Sequence, residues 1–230
     1  MSIPQMRTHR SAAVFDARAF ASRCLDLVIA ATAALVFGPL MLVVALAIWL
    51  EGGRPILFKQ LRLGKGGKPF PMYKFRKFSA TCGTTGCPLT MAADDRMTRI
   101  GRILAATKLD ELPQLWNVLR GEMAIVGPRP ESLAFADCFQ NGFEQVLAHK
   151  PGLLGPSQIL FRNEGRLYPA NSDPTRFYRE VLFPTKARID LAYFPHRTLG
   201  SDIVWIVRGV LAVMGWVPAA GTAPTRVLGR

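Results

Sequence analysis

From Leu27 to Leu50 the chain carries no charged residue. Drawn as a straight helix this run is roughly 36 Å long, enough to cross a bilayer. It is too long for a cleaved signal peptide and lacks a small-residue cleavage site. Gly38-Pro39 lies at its centre. A proline frees a carbonyl one turn back and kinks the helix. Arg7, Arg10, Arg18 and Arg23 precede the run, and Arg54, Lys59, Arg62, Lys65 and Lys68 follow it. Positive charge stays on the cytoplasmic side, so both ends claim that side. A helix that enters, turns at Gly38-Pro39 and leaves by the same face satisfies both. A kinked span is the alternative, because prolines occur in true spans. Asp26, at the mouth, is expected to anchor the helix end on a nearby cation.

Beyond the apolar run the periods are shorter. Pro55 to Gln60 reads as a strand, Gly64 to Pro69 as a turn, and Phe70 to Phe78 as a returning strand. The cations of this ribbon suit lipid headgroups, or Lys59 and Arg76 point at substrate phosphates. Thr81 to Thr90 reads as a flexible loop, and Asp94-Asp95 as the opening of a helix through Arg99, Ile103 and Leu104. Leu112, Leu115, Trp116 and Leu119 recur at helical spacing. Pro113 fits only a first turn, which puts the helix start near Asp110 as N-cap and its stop at Gly121. Glu131 to His149 reads as an amphipathic helix, and Lys150 to Gln158 as a stiff loop and strand. Phe177 to Tyr193 reads as a helix interrupted near Pro184. Asp202 to Trp216, with Arg208 its one interior charge, reads as a helix lying in the membrane interface, or else a core helix. The fold class expected is α+β, mainly helical. The segments are a basic stretch over 1–22, a re-entrant membrane helix over 23–51, a cytoplasmic-face domain with interfacial helices over 52–217, and a disordered tail over 218–230.

Charge narrows the partners. The formal net charge of +13 calls for something anionic: nucleic acid, a membrane surface or a phosphorylated substrate. No RNA-binding or helix-turn-helix signature accompanies the basic and aromatic residues. Cys24, Cys82, Cys87 and Cys138 have no metal spacing and read as free thiols of a reducing compartment.

The chemistry concentrates at two adjacent carboxylates, Asp110 and Glu111. A helix start there favours the anion and holds phosphate or a metal-phosphate complex. By itself an acidic pair at a helix start is commonly no more than a cap. Its company changes that reading: Val126-Gly127-Pro128-Arg129-Pro130-Glu131 presents one planar cation between two prolines. A forked cation near paired carboxylates suggests phosphate chemistry.

Taken in order, several segments resemble the bacterial sugar transferases, the monotopic polyprenyl-phosphate phosphoglycosyl transferases. They are Phe58 to Gly64, Phe70 to Arg76, Thr98 to Arg102, Leu109 to Gln114, Val126 to Pro130 and Pro151 to Gly155, and the likeness runs from about Ser22 to about Val210. The resemblance implies the small form of the family, without the membrane extension of larger members, and favours the re-entrant helix. It implies transfer of a sugar-1-phosphate from a UDP-sugar to undecaprenyl or another polyprenyl phosphate. UMP leaves, and synthesis of an exopolysaccharide, capsule, O-antigen or other glycan begins. Asp110 is then the nucleophile and forms a phosphosugar ester. Glu111, with Asp110, holds Mg²⁺. Arg129 binds phosphate, and beside it Lys59 and Arg76 of the ribbon and Lys108, in place of the charge missing at Ala105, are expected to do the same. The expected location is the cytoplasmic face of the bacterial inner membrane, on anionic lipid, with no nucleic acid and with a homo-oligomer left open.

The chain departs from the family at Ala105, where a basic residue is usual, and at Lys108, where a small hydroxyl residue is common. Lys77-Phe78 replaces Thr-Met, and Pro156-Ser157 replaces Trp-Ala. These changes touch the phosphate contacts and the donor sugar, not Asp110, Glu111 or Arg129. They also keep open a non-catalytic membrane-bound interaction protein of a polysaccharide assembly system. Charge alone motivates a membrane-surface nucleic-acid binder.

Overall fold

The computed structural model describes residues 8–79, 82, 89, 94–169 and 172–216. The expected loop at Thr81 to Thr90 and the tail over 218–230 lie largely or wholly outside them, as does Cys87. The architecture is α+β and mainly helical. One long helix, α1 (Thr8–Gly52), precedes a hairpin of β1 (Leu57–Leu63) and β2 (Pro69–Phe75). Helix α2 (Arg99–Thr107), a 3-10 turn at Leu109–Glu111 and α3 (Gln114–Leu119) follow. A short parallel pair, β3 (Ala124–Val126) and β4 (Gly152–Leu154), flanks two 3-10 turns. Helices α4 (Pro156–Leu160), α5 (Pro174–Phe177), α6 (Phe183–Tyr193) and α7 (Leu199–Val213) complete the order.

Helix α1 runs through Gly38-Pro39 as one helical segment, where the sequence pattern suggests a break. A proline removes one hydrogen bond of the ladder, and the apolar turns on both sides continue the helix. Both of its arms are docked on the rest of the chain. Ala30 is buried against Val118, Met123 and Ile125, while Val44 and Ile48 are buried against Phe75 and Leu104. Leu112 packs on both clusters. Between the two docked arms, Leu35, Val36, Phe37, Leu42 and Val43 are exposed. Polar contacts fix each arm. Arg23 donates to the Val118 and Leu119 carbonyls at 2.7 and 2.9 Å, satisfying the open end of α3. Asp26 accepts the Ile125 N–H at 2.8 Å, so its anchor is a backbone amide rather than the cation expected. At the far end Glu51 accepts the Ile100 N–H at 3.2 Å.

The hairpin is antiparallel with Lys59 opposite Tyr73, one strand longer and the other shorter than the sequence pattern suggests. Three expected helices differ more. Asp94 to Met97 is a turn, and α2 starts after Thr98, whose hydroxyl accepts the Gly101 N–H. Asp110 is no N-cap: it sits in the 3-10 turn, and α3 begins four residues later, after Pro113. The proline rule is obeyed, but Leu109 to Leu112 closes a tighter turn first. The stretch from Glu131 to His149 is two 3-10 turns, Leu133–Cys138 and Phe143–Ala148. Asn141 and Gly142 between them have positive φ, which no helix accommodates. Conversely α5, a π turn at Tyr178–Leu182 and α6 run on without the interruption expected at Pro184, because Pro184 falls in the first turn of α6.

Helix α6 is tied to α4 through a buried pair. Asp190 accepts the Ser157 hydroxyl at 2.8 Å. Burial pushes the Asp190 carboxyl up to about 7, against the pull of Ser157 and Lys186. A carboxyl held above its unfolded value of about 3.9 costs stability as pH rises between the two values, and the full cost is present above the higher one. From pH 5 to 8 the wild type is therefore expected to lose roughly 2–3 kcal/mol from this group. Thermal unfolding of Asp190→Asn across that range should show a correspondingly shallower fall. Equal slopes for the two proteins would refute the assignment.

Candidate active site

Alternation along β2 continues the buried face of Phe70 and Met72 to Lys74. Lys74 Nζ thereby meets Glu111 Oε1 at 2.7 Å. Lys77, just past β2, stands 4.0 Å from Asp110 Oδ2. Lys108 is in the left-handed region, φ 63°, and joins α2 to the 3-10 turn that carries the acids. Arg129 arrives from the other side. Its turn begins at the close approach of β3 and β4, where a Cβ on Gly152 would lie 2.1 Å from the Gly127 nitrogen, so only glycine fits. Leu63 N–H donates to the Glu131 carbonyl at 2.9 Å, and Arg62 reaches the Pro130 carbonyl at 3.4 Å. The end of β1 thus holds the Pro128-Arg129-Pro130 turn in place.

These groups share a cavity of about 910 Å³. One wall carries Lys74, Lys77, Lys108, Asp110, Glu111 and Arg129; another is apolar, with Leu153, Leu154, Ile206, Val210 and Val213. The last three belong to α7, whose other residues Ile203, Val204 and Val207 are exposed. The cavity therefore joins a polar site to an apolar helix face.

The electrostatics separate the two acids. Burial raises Asp110, and the neighbouring Glu111 adds to the rise against the pull of Lys74, Lys77 and Lys108. Glu111 is half-buried, and against the desolvation that raises it Lys74, then Arg129 and Lys108, hold it well below the usual carboxylate range. Two interacting carboxyls pushed apart in this way serve different roles. Glu111 stays an anion, while Asp110 is the more basic of the two. Arg129 is half-buried, and against the desolvation that lowers it Glu111, Glu164 and Glu131 raise it. Burial pulls Lys77 down to about 8, against the attraction of Asp110.

Asp110 is 2% exposed, and its Oδ1 is buried with no hydrogen-bond partner. An orphaned buried oxygen is costly unless something fills its shell. Among the described residues no group of three or more His, Cys, Asp or Glu converges. A hard divalent cation that keeps waters and takes one or two carboxylates matches that donor set. The residues present therefore fit Mg²⁺ at Asp110 and Glu111.

Of the remaining expected site residues, one lies elsewhere. Lys59 is exposed on the face of β1 opposite Phe58, Gln60 and Arg62, which line the cavity. A period of two turns it away from the acids. Arg76 lines the cavity: its Nη2 donates to the Gly53 carbonyl at 3.2 Å and the Ile48 carbonyl at 3.5 Å, while its Nε and Nη1 are buried with no hydrogen-bond partner. Sequence reasoning missed Lys74 and Lys77 as partners of the acids, although the alternation of β2 is a signal for Lys74. It also missed Lys186, a buried cation between Glu164 and Glu131, for which the sequence offers no local cue.

The family model described as bacterial sugar transferase matches residues 17–216. The chain belongs to the bacterial sugar transferase family. The UDP-N-acetylgalactosamine-undecaprenyl-phosphate N-acetylgalactosaminephosphotransferase of Aeromonas hydrophila is 33% identical over 199 residues, 85% of this chain and 44% of that protein. The UDP-glucose:undecaprenyl-phosphate glucose-1-phosphate transferase of Caulobacter vibrioides is 46% identical over 142 residues, 60% of this chain and 52% of the relative. A transferase of the same description from Escherichia coli is 39% identical over 140 residues, 60% of this chain and 30% of the relative. The chain thus spans about half or less of the length of these family members.

Proposed function

We propose that this family member transfers a sugar-1-phosphate from a UDP-sugar to undecaprenyl or another polyprenyl phosphate, releasing UMP. The observation that carries the reading is Asp110: a buried carboxylate with one free oxygen, facing a cavity that is cationic on one side and apolar on the other. Asp110 attacks the sugar-bearing phosphorus, the bond from that phosphorus to the UMP oxygen breaks, and the electron pair leaves with UMP. An oxygen of the lipid phosphate then attacks the same phosphorus and frees the Asp110 carboxylate. A carboxylate approaches an anionic diphosphate only if its oxygens are neutralised first. Arg129, Lys74 and Lys108 supply that charge. Mg²⁺, held by Glu111 and Asp110, would add Lewis-acid neutralisation of the phosphoryl oxygens. Lys59 points away from the acids and drops out as a phosphate ligand, while Arg76, with two unpartnered nitrogens at the cavity, stays one.

The two docked arms of α1 and its exposed apolar middle support a helix that enters and leaves the cytoplasmic leaflet by one face. The apolar face of α7 lies at the same interface, so the acceptor's chain reaches the site along Leu154, Ile206 and Val210 from anionic lipid. The chain then works on the cytoplasmic side of the bacterial inner membrane, starting a polysaccharide or glycan. Relatives named for N-acetylgalactosamine and for glucose leave two donor classes to try.

The test is nucleotide release. Protein in detergent with undecaprenyl phosphate and Mg²⁺ is offered a panel of UDP-sugars. Lipid-dependent UMP is expected with one of them. UDP in its place would mean ordinary glycosyl transfer, and no release with any donor would favour a non-catalytic interaction protein.

A further inference from the structure

The cations around the acid pair outnumber it. Lys74, Lys77, Lys108 and Arg129 surround Asp110 and Glu111, which leaves an excess of positive charge facing the cavity. Two of the four are accounted for: Lys74 is bonded to Glu111, and Arg129 faces Glu111, Glu164 and Glu131. Lys77 is not. The Lys77 side chain is 19% exposed, and its ammonium makes no hydrogen bond among the described residues. It stands 4.0 Å from Asp110 Oδ2 and 5.3 Å from the centre of its own neighbour's ring, Phe78. That separation is too long for a hydrogen bond.

Its backbone, by contrast, is clamped. The Thr98 N–H donates to the Lys77 carbonyl at 3.0 Å, and a Cβ on Gly101 would lie 1.9 Å from that carbonyl oxygen. The Thr98-Arg99-Ile100-Gly101 segment therefore places Lys77 beside Asp110, and glycine is required at 101 for the approach. A cation held rigidly at its root, unbonded at its tip and one atom's width from a nucleophilic oxygen is arranged for a ligand that is not the protein.

We propose that Lys77 is a further catalytic residue, the cation that grips the non-bridging oxygens of the phosphoryl group at Asp110 through both transfer steps. The inference rests on the phosphoglycosyl transfer reading. When Asp110 bonds to phosphorus its carboxylate charge is lost, and one negative charge remains on the two non-bridging oxygens. Lys77 exchanges a distant carboxylate for a direct bond to those oxygens. It stabilises the bound phosphoryl group more than the free acid, which is the differential binding that speeds a reaction. When the lipid phosphate displaces Asp110, the carboxylate reforms opposite Lys77.

Equilibrium binding of inorganic pyrophosphate, without added metal, tests the grip apart from turnover. Titration calorimetry on the full chain in detergent would compare wild type, Lys77→Met, Lys77→Arg and Arg188→Met. The last removes the same charge from an exposed site on α6. Lys77→Met is expected to bind pyrophosphate at least tenfold more weakly, with Lys77→Arg near wild type and Arg188→Met unchanged. UMP release should show a lower kcat in Lys77→Met, largely recovered in Lys77→Arg. Equal binding by wild type and Lys77→Met, equal weakening by Arg188→Met, or no binding by wild type would each overturn the proposal. Lys77-dependent binding in a protein that releases no UMP would uphold the grip and overturn the transfer reading instead.

Discussion

Asp110→Asn is expected to lower lipid-dependent UMP release by at least about a thousandfold, the scale seen when a covalent nucleophile is removed. The amide keeps the shape of the carboxyl and loses the attacking electron pair. The folding consequence has the opposite sign. Asp110 is buried with an unpartnered oxygen, and burial raises its carboxyl, so ionised Asp110 costs stability at neutral pH. Replacing it by a neutral isostere removes that cost, as happens where active sites hold strain for function. The variant should unfold at the same temperature as wild type or a higher one. It should also bind pyrophosphate more tightly, because one of the two anions facing the cation cluster has gone. Nucleotide assay, thermal unfolding and calorimetry on one preparation check all three. Retained UMP release would remove Asp110 from the nucleophilic role. A large loss of stability would mean that the inactive variant had only misfolded.

How far the sequence revealed this site depends on distance along the chain. Asp110, Glu111 and Arg129 stand out because short motifs mark them. The charge-free run and its basic flanks pick out α1, since a long apolar stretch needs no tertiary information to be read. The hairpin follows from its turn glycines. Misread elements are those where tertiary contacts outweigh local period. The residues from Glu131 to His149 have apolar positions at roughly helical spacing, yet Phe135, Phe139 and Phe143 all pack on the α5–α6 region, and the chain turns at Asn141-Gly142 to reach it. Asp110 looks like a cap because Pro113 follows it, but the 3-10 turn delays α3. Lys59 shows the limit for charges: motif position made it a candidate, while strand phase sends it outward. Lys186 is the extreme case. Its partners Glu131 and Glu164 are 55 and 22 residues away, and nothing local distinguishes it from a surface lysine.

Lys186 carries the largest stability effect expected outside the hydrophobic clusters. It is 4% exposed, with Nζ 2.9 Å from Glu164 Oε2, 3.0 Å from the Tyr178 hydroxyl and 3.6 Å from Glu131 Oε1. Two carboxylates rely on it, and both also face Arg129. Lys186→Met preserves much of the volume and removes the charge. Glu131 and Glu164 then lose the cation paired with both, leaving Arg129 facing the two of them and Arg62 facing Glu131. Breaking a buried pair by deleting one partner costs about 3–5 kcal/mol, whereas replacing both can be nearly neutral. Thermal unfolding in detergent should therefore show a large loss in Lys186→Met, with part of it recovered when Glu164→Gln is added. The same imbalance reaches the active site. With Lys186 gone, the unpaired carboxylates draw the Arg129 guanidinium from Glu111 and the cavity. The KM for the UDP-sugar should rise several-fold, and the second substitution should bring it back toward wild type. Recovery of stability without recovery of KM would separate the two roles and leave Lys186 as a packing residue alone. A loss below about 1 kcal/mol, the range of exposed pairs, would mean that water reaches the cluster and that Arg129 is held by its turn rather than by charge.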